Sequence, residues 1–372
     1  MKRFIPIVIL GMLMVAGTVT AVVHRVPGDY STIQEALNAC GDHDVVEVQP
    51  ATYTESLTWP DAEAVTLRSS VPDTKVNIRA PGHHQSLLSK TSSTYRTVIL
   101  QNLDFAGAVH APGAGIRIEN AMLVMRYCAS RNHRFFGFEE NLGLALYCVN
   151  CELIIDDCEF SGNEYEPPTP GSEAVGLAVY LEGCSGSIRR SVIRDNIFDY
   201  SSDIVHSPCD VDYYDNRFED NRNYGSDNFR TCLAAGSDTV VISGNMFRNN
   251  RANHGALMTF GSVARVENNL FEANGYLPEA VTFKPGATFN IVQFNTFADS
   301  VAFSIGDPGL HSIVENNIIM TPMTGDWSQA HCLDYNLYGF EDPGSYPFEY
   351  GPFDVFGDPL FIAGPGGDFY LS

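Results

Sequence analysis

The chain has 372 residues, with 22 Lys and Arg against 45 Asp and Glu, a formal net charge of −23 and only 18% charged residues. So negative a balance argues against a nucleic-acid partner or an anionic membrane surface, since both call for Lys and Arg. A hydrophobic share of 44% is enough for a sizeable core and excludes wholesale disorder, while 32 Gly and 20 Pro beside so few charges imply many turns.

Residues 1–21 read as a secretory signal peptide. Lys2 and Arg3 form its charged start, Phe4 to Val15 is apolar but short for a membrane span, and Val19-Thr20-Ala21 places small residues at the cleavage position. The mature chain is therefore expected to begin near Val22 and to be secreted, extracellular or periplasmic, without a membrane span. Residues 22–372 read as one domain, with 22–60 as N-terminal cap and first strands. Ser31-Thr-Ile-Gln34 has capping-box form, and Ile33, Ala36 and Leu37 make one apolar stripe. These predict a short helix from about Thr32 to Cys40, plugging the end of a repetitive core.

From the middle of the chain one pattern recurs: a small or amide residue, a large apolar residue two positions later, and often Asn three further on. Cys158-Glu-Phe160-Ser-Gly-Asn163, Asn216-Arg-Phe218-Glu-Asp-Asn221 and Asn269-Leu-Phe271-Glu-Ala-Asn274 are examples, and successive apolar anchors lie 22 to 33 residues apart. A period in that range means a solenoid. Five residues before the anchors stand Ile155, Ile188, Tyr213, Ile242, Val266, Val292 and Val314; fourteen before stand Leu146, Val179, Ile204, Leu233, Leu257, Phe283 and Ile305. Both columns are apolar throughout, and no helical periodicity lies between them. The reading is an all-β, right-handed parallel β-helix with three strands per coil. The Asn columns read as structural, because Asn tolerates the left-handed corner conformation and its amide can bond its counterpart one coil away.

Nine cysteines follow the expected signal, an odd number, so at least one is free or pairs between chains. Cys148-Val-Asn-Cys151 lacks the second pair that a tetrahedral zinc site needs. Cys151, Cys184 and Cys209 occupy one position of three consecutive coils with inward parity. They stack either as small hydrophobes or with one disulfide between adjacent coils.

The run Pro27-Gly-Asp-Tyr-Ser-Thr-Ile-Gln-Glu-Ala-Leu37, then Val45 to Val48 and Tyr53-Thr-Glu55, resembles the opening of secreted bacterial right-handed parallel β-helix proteins of the pectin lyase-like superfamily. Asp334-Tyr-Asn-Leu-Tyr338, Gly357-Asp-Pro-Leu-Phe361 and Gly367-Asp-Phe-Tyr-Leu371 are similar to a closing segment, 333–372, after which many relatives continue into further domains. The opening also resembles pectin methylesterases, but Ala51 stands where those enzymes carry Gly, and their catalytic Asp motifs and Arg-Pro-Trp segment are absent. Polygalacturonase motifs are missing too, so Asp156-Asp157 reads as a pair of solvated turn residues. The superfamily holds lyases, hydrolases, esterases and adhesins, so the resemblance specifies fold more than activity.

The resemblance implies a groove on the outer face of the strand that holds Leu146 and its counterparts. Its outward columns are then Tyr147, Tyr180, Val205, Ala234, Met258, Lys284, Gly306 and Ala145, Ala178, Asp203, Cys232, Ala256, Thr282, Ser304. The leading reading is carbohydrate binding, to a polysaccharide or cell-surface glycan, along an aromatic groove of Tyr147, Tyr180, Tyr200, Tyr224 and Trp327, by a monomer without a cofactor. Tyr165 and the Pro-rich insert Glu164 to Glu173 stand beside it, and such loop aromatics either face sugar or pack back onto the solenoid. The alternative is a polysaccharide lyase or glycoside hydrolase on uronate-type polysaccharide using Asp203, Glu182, Lys284 or His206, with Ca²⁺ if a lyase. Asp203 and Glu182, on adjacent coils, form the pair a hydrolase needs, whereas Lys284 lies three or four coils from them. The third reading is an adhesin-like structural surface module.

Overall fold

Strands here are short runs in which every second residue is apolar, so each buries one face and cannot be stable singly. Val65–Ser69 alternates buried and half-buried residues throughout, as do the long strands Ile116–Arg126 and Leu146–Asp156 away from their corner residues. In the computed structural model these runs stack in parallel register, coil on coil, as a parallel β-helix. The structure describes residues 21–371 except 83–85, 110–114, 137–142, 167–177, 199–202, 224–230, 237, 253–254, 260–261, 275–280, 284–288, 299–302, 306–310, 321–329, 335, 339–352, 357–360 and 364–368. Residues 1–20 of the expected signal peptide lie outside these residues, as do Lys284, Tyr200, Tyr224, Trp327 and most of the Pro-rich insert. Among the described residues no helix is long and apolar enough to cross a membrane.

Two faces of each coil join into one 21-stranded sheet, and the third forms a 13-stranded sheet. A four-stranded sheet, Arg134–Phe136, Glu164–Glu166, Ile197–Phe198 and Arg222–Asn223, extends the middle coils. The column from Ile155 through Ile188, Tyr213, Ile242, Val266 and Val292 to Val314 is paired in that register. The anchor phenylalanines stack inside: Phe218, Phe247, Phe271 and Phe297 follow at centroid spacings of 4.6, 4.9 and 4.9 Å, nearly coplanar. One coil rise sets that spacing.

The helix runs from Ile33 to Asn38 and buries Ile33, Ala36 and Leu37 on the first coil. Its capping box uses Thr32 and Glu35, one residue later than Ser31-Gln34 suggests. The carboxylate of Glu55 accepts from the N–H groups of Ile33 and Gln34. The Ile-Gln and Tyr-x-Glu elements of the opening therefore serve one structural purpose, holding the cap to the first coil.

The Asn columns form two ladders. One runs Ser191, Asn216, Asn245, Asn269, Asn295, Asn317, Asn336 to Asp354; the other His133, Asn163, Asn196, Asn221, Asn250 to Asn274. The left-handed residue at each corner is not the ladder Asn, as expected from sequence, but its predecessor: Asp215 (φ 55°), Asn249 (φ 51°), Asn268 (φ 56°), Asn316 (φ 58°). The left-handed step turns the chain so that the next side chain enters the wall and bonds along the axis. Cysteines occupy the third corner in the same way, with Asn150 (φ 54°) before Cys151 and Gly183 (φ 60°) before Cys184.

Cys148, Cys151, Cys184 and Cys209 form a buried run of thiols, and all eight cysteines whose side chains are described are free. Hydrogen bonding between neighbouring thiols shifts the Cys151 thiol down and pushes that of Cys184 up. Free, buried thiols on successive coils fit the reading of these cysteines as small hydrophobes better than a cross-coil disulfide. Unfolding without reductant should expose at least eight of the nine thiols to alkylation by mass spectrometry; seven or fewer would mean that cysteines are bonded within the chain.

Candidate functional site

The outward row on the groove face is Arg117, Tyr147, Tyr180, His206, Ala234 and Met258, one per coil. His206 stands where the sequence ruler placed Val205. The cause is the corner before Cys209: three residues separate Val205 from Cys209, whereas four separate Val179 from Cys184. Pro208 occupies that corner, and its ring forbids the left-handed residue that the other corners use, so the turn is one residue tighter. Further along, Leu257 pairs with Val281 and Val281 with Phe303, two residues from the ruler's Phe283 and Ile305, so Thr282 rather than Lys284 continues the row.

The row is a stack. The Tyr147 and Tyr180 rings lie 5.4 Å apart at 15°, and Tyr180 and His206 lie 5.7 Å apart at 14°. The Arg117 guanidinium sits 4.8 Å from the Tyr147 centroid and is itself paired to Glu119 at 2.6 Å. Such contacts stabilise the row by roughly 0.5–1.5 kcal/mol each. They also occupy the ring faces, so the expected stacking of sugar on flat tyrosine faces is replaced by a surface of ring edges and polar tips. Tyr180 donates its hydroxyl to Glu182 at 3.0 Å. Burial pushes the Tyr147 and Tyr180 hydroxyls up, and the bond to Glu182 raises Tyr180 further, so both remain protonated in neutral solution.

At the end of the aromatic stack His206 Nδ1 meets Asp203 Oδ2 at 2.9 Å. Asp203 is 2% exposed, and its other oxygen accepts from the Thr231 N–H at 3.2 Å and hydroxyl at 3.0 Å. A buried carboxylate so held fixes the imidazole ring and favours the proton on Nδ1. Both oxygens of Asp203 are thus engaged, one by His206 and the other by Thr231. The second outward column is likewise closed, since Ala145, Ala178, Cys232 and Ala256 are all fully buried. Tyr165 is 1% exposed and packs on Phe135 at 5.9 Å, a core contact rather than a groove one.

The structure thus brings Tyr147, Tyr180, Glu182, Asp203 and His206 together. Arg117 was missed, though the apolar alternation of Ile116–Arg126 marks it as outward. No protein-family profile matches the chain, and no curated protein sequence matches it. Among solved structures it is similar to a PL6 family alginate lyase, AlyGC, at 12% identity and a TM-score of 0.40, over 94% of this chain and 55% of that one. It is also similar to a GH136 lacto-N-biosidase from Eubacterium ramulus at 9% identity and a TM-score of 0.34, over 87% of this chain and 64% of that one. The chain spans between half and two thirds of the length of these structures, and likeness at this level leaves substrate and reaction to its own residues.

Proposed function

We propose that the protein is a secreted, monomeric parallel β-helix that binds an extracellular glycan lengthwise along the row from Arg117 to His206. The observation that carries this reading is the stack itself. Its faces are used internally, which presents a rigid, evenly spaced line of ring edges, hydroxyls and the Glu182 carboxylate to solvent. A polymer whose repeat is close to one coil meets a comparable polar edge at each step. Among the described residues of the row, Glu119 and Glu182 stand beside an Arg117 that is already paired, so the face favours a neutral glycan over a polyuronate.

Tyr180→Phe keeps the ring in the stack and removes only its hydroxyl. Retention on glycan affinity gels should weaken about tenfold, the effect of one lost hydrogen bond of roughly 1.4 kcal/mol. Unchanged retention in Tyr180→Phe and in a Tyr147→Ala, Tyr180→Ala double variant would remove the row from the binding surface.

A second reading rests on Asp203 and His206. An imidazole oriented by a buried carboxylate is equipped to take a proton, so His206 is the general base expected if the chain eliminates across a uronic-acid linkage. Polyuronates incubated with and without Ca²⁺ should then yield unsaturated products absorbing in the ultraviolet, with loss of roughly 100-fold or more in His206→Ala. Silence across the panel rejects elimination, and silence in both assays favours the surface-module reading.

A further inference from the structure

A second constellation lies away from the groove, on the first coil of the solenoid beside the capping helix. His24, on the first strand Val23–Val26, pairs in register with Val46, and Val46 with Leu67, an inward column. Packing alone calls for an apolar residue there, since Val26, Val46 and Leu67 are all fully buried. Instead the column ends on an imidazole only 7% exposed, beside a carboxylate, Asp44, only 6% exposed. His24 Nε2 and Asp44 Oδ2 are 3.0 Å apart, and Cys40 Sγ completes a trio whose ligand atoms all lie within 4.8 Å of one another.

We propose that His24, Cys40 and Asp44 form a binding site for a borderline divalent transition ion of the Zn²⁺ class. One nitrogen, one sulfur and one oxygen donor suit such an ion and not Ca²⁺ or Mg²⁺, which require oxygen ligands. Bonds of roughly 2.0–2.3 Å in a tetrahedron place ligand atoms some 3.3–3.8 Å apart, so the trio closes on the ion by about 1 Å. The carboxylate is already aimed: the Val22 N–H donates to Asp44 Oδ1 at 2.7 Å and the Gly41 N–H to Oδ2 at 2.7 Å. If the chain is cut after Ala21, as the sequence leads one to expect, the Val22 nitrogen is an amine and a possible fourth donor; otherwise water fills that position. The three ligands come from the first strand, the segment after the helix and the residue before Val45–Val48, so the ion staples the cap to the first coil. Its role is structural, and nothing in the glycan row depends on it.

The test uses the full chain, stripped with chelator and titrated with Co²⁺. One equivalent should produce visible ligand-field bands and a near-ultraviolet thiolate-to-cobalt band, and Zn²⁺ should displace both. Cys40→Ser should abolish the thiolate band, and His24→Leu, which completes the apolar column and so preserves the fold, should weaken binding by roughly 100-fold. Absence of the thiolate band at excess Co²⁺, or its survival in Cys40→Ser while circular dichroism shows a folded chain, overturns the proposal. Unchanged affinity in His24→Leu does so equally.

Discussion

Asn269→Ala should lower stability by about 3–5 kcal/mol, whereas Asn268→Gly, one residue earlier, should be close to neutral. The two asparagines are neighbours in sequence and opposite in physics. Asn269 is 2% exposed. Its Oδ1 accepts from the Asn245 N–H at 2.9 Å and side-chain amide at 3.1 Å, and its own amide donates to the Ile242 carbonyl at 2.8 Å and to Asn295 at 3.0 Å. Truncation strands the Asn245 donors and the Ile242 carbonyl inside the wall, where water cannot replace the lost partner. Asn268 is solvent-exposed, and its contribution is a φ of 56°, which glycine adopts freely. Urea unfolding followed by circular dichroism measures both. Because each coil contacts only its neighbours, the loss in Asn269→Ala should also divide the unfolding curve at that coil. Equal effects of the two substitutions would contradict the division of labour between corner and ladder.

His133→Asn should abolish much of the acid sensitivity of the fold. His133 heads the second ladder and is fully buried. The Ala108 N–H donates to its Nδ1 at 3.2 Å, which places the ring proton on Nε2, toward Ser130 Oγ at 3.0 Å; Ser130 in turn donates to the Ala145 carbonyl at 2.7 Å. Burial, with Arg79 nearby, pushes the imidazole from 6.5 down to about 3. Above the unfolded value the ring is neutral in both states and costs nothing. Below it the unfolded chain takes up a proton that the folded chain refuses, so stability falls as pH drops from 6.5 towards 3, by up to about 1.4 kcal/mol per pH unit. Asparagine can continue the ladder but cannot titrate. Carboxylates titrate in both proteins, so the gap in stability between wild type and variant isolates His133. The stability of wild type relative to the variant should fall steadily from pH 6.5 to 4 in denaturant midpoints; parallel curves would show that His133 takes up a proton as readily in the fold as in the unfolded chain.

Most of the fold was legible because its physics is local and repeats. The columns through Ile155 and through Phe218 are set by alternation and by one anchor per coil, and neither needs knowledge of distant contacts. The site was less legible for a specific reason. A ruler of fixed length assumes corners of fixed length, and Pro208 shortens one of them, which replaces Val205 by His206 in the outward row. Orientation was also hidden: two tyrosines one coil apart read equally as open platforms or as rings stacked on each other, and only geometry distinguishes them. Asp203 looked like a groove acid because outward parity was equated with exposure. The adjoining Thr231 and His206 enclose it, a relation that no spacing reveals. The cap ligands His24, Cys40 and Asp44 were missed because the turn and helix between them obscure their proximity.

The ladders have a direction. Wherever one ladder Asn follows another, the oxygen of its amide receives both N–H donors from the coil before it, as Asn216 gives to Asn245 and Asn245 to Asn269. Each coil that carries a ladder Asn therefore presents the same socket at its lower edge and the same plug at its upper edge. A coil carrying both asparagines can be duplicated or deleted without inventing a new interface, so chain length is free to vary while the wall stays chemically identical. Asp354 accepts from Asn336 in the same way but carries a carboxylate, which has no side-chain amide proton to donate.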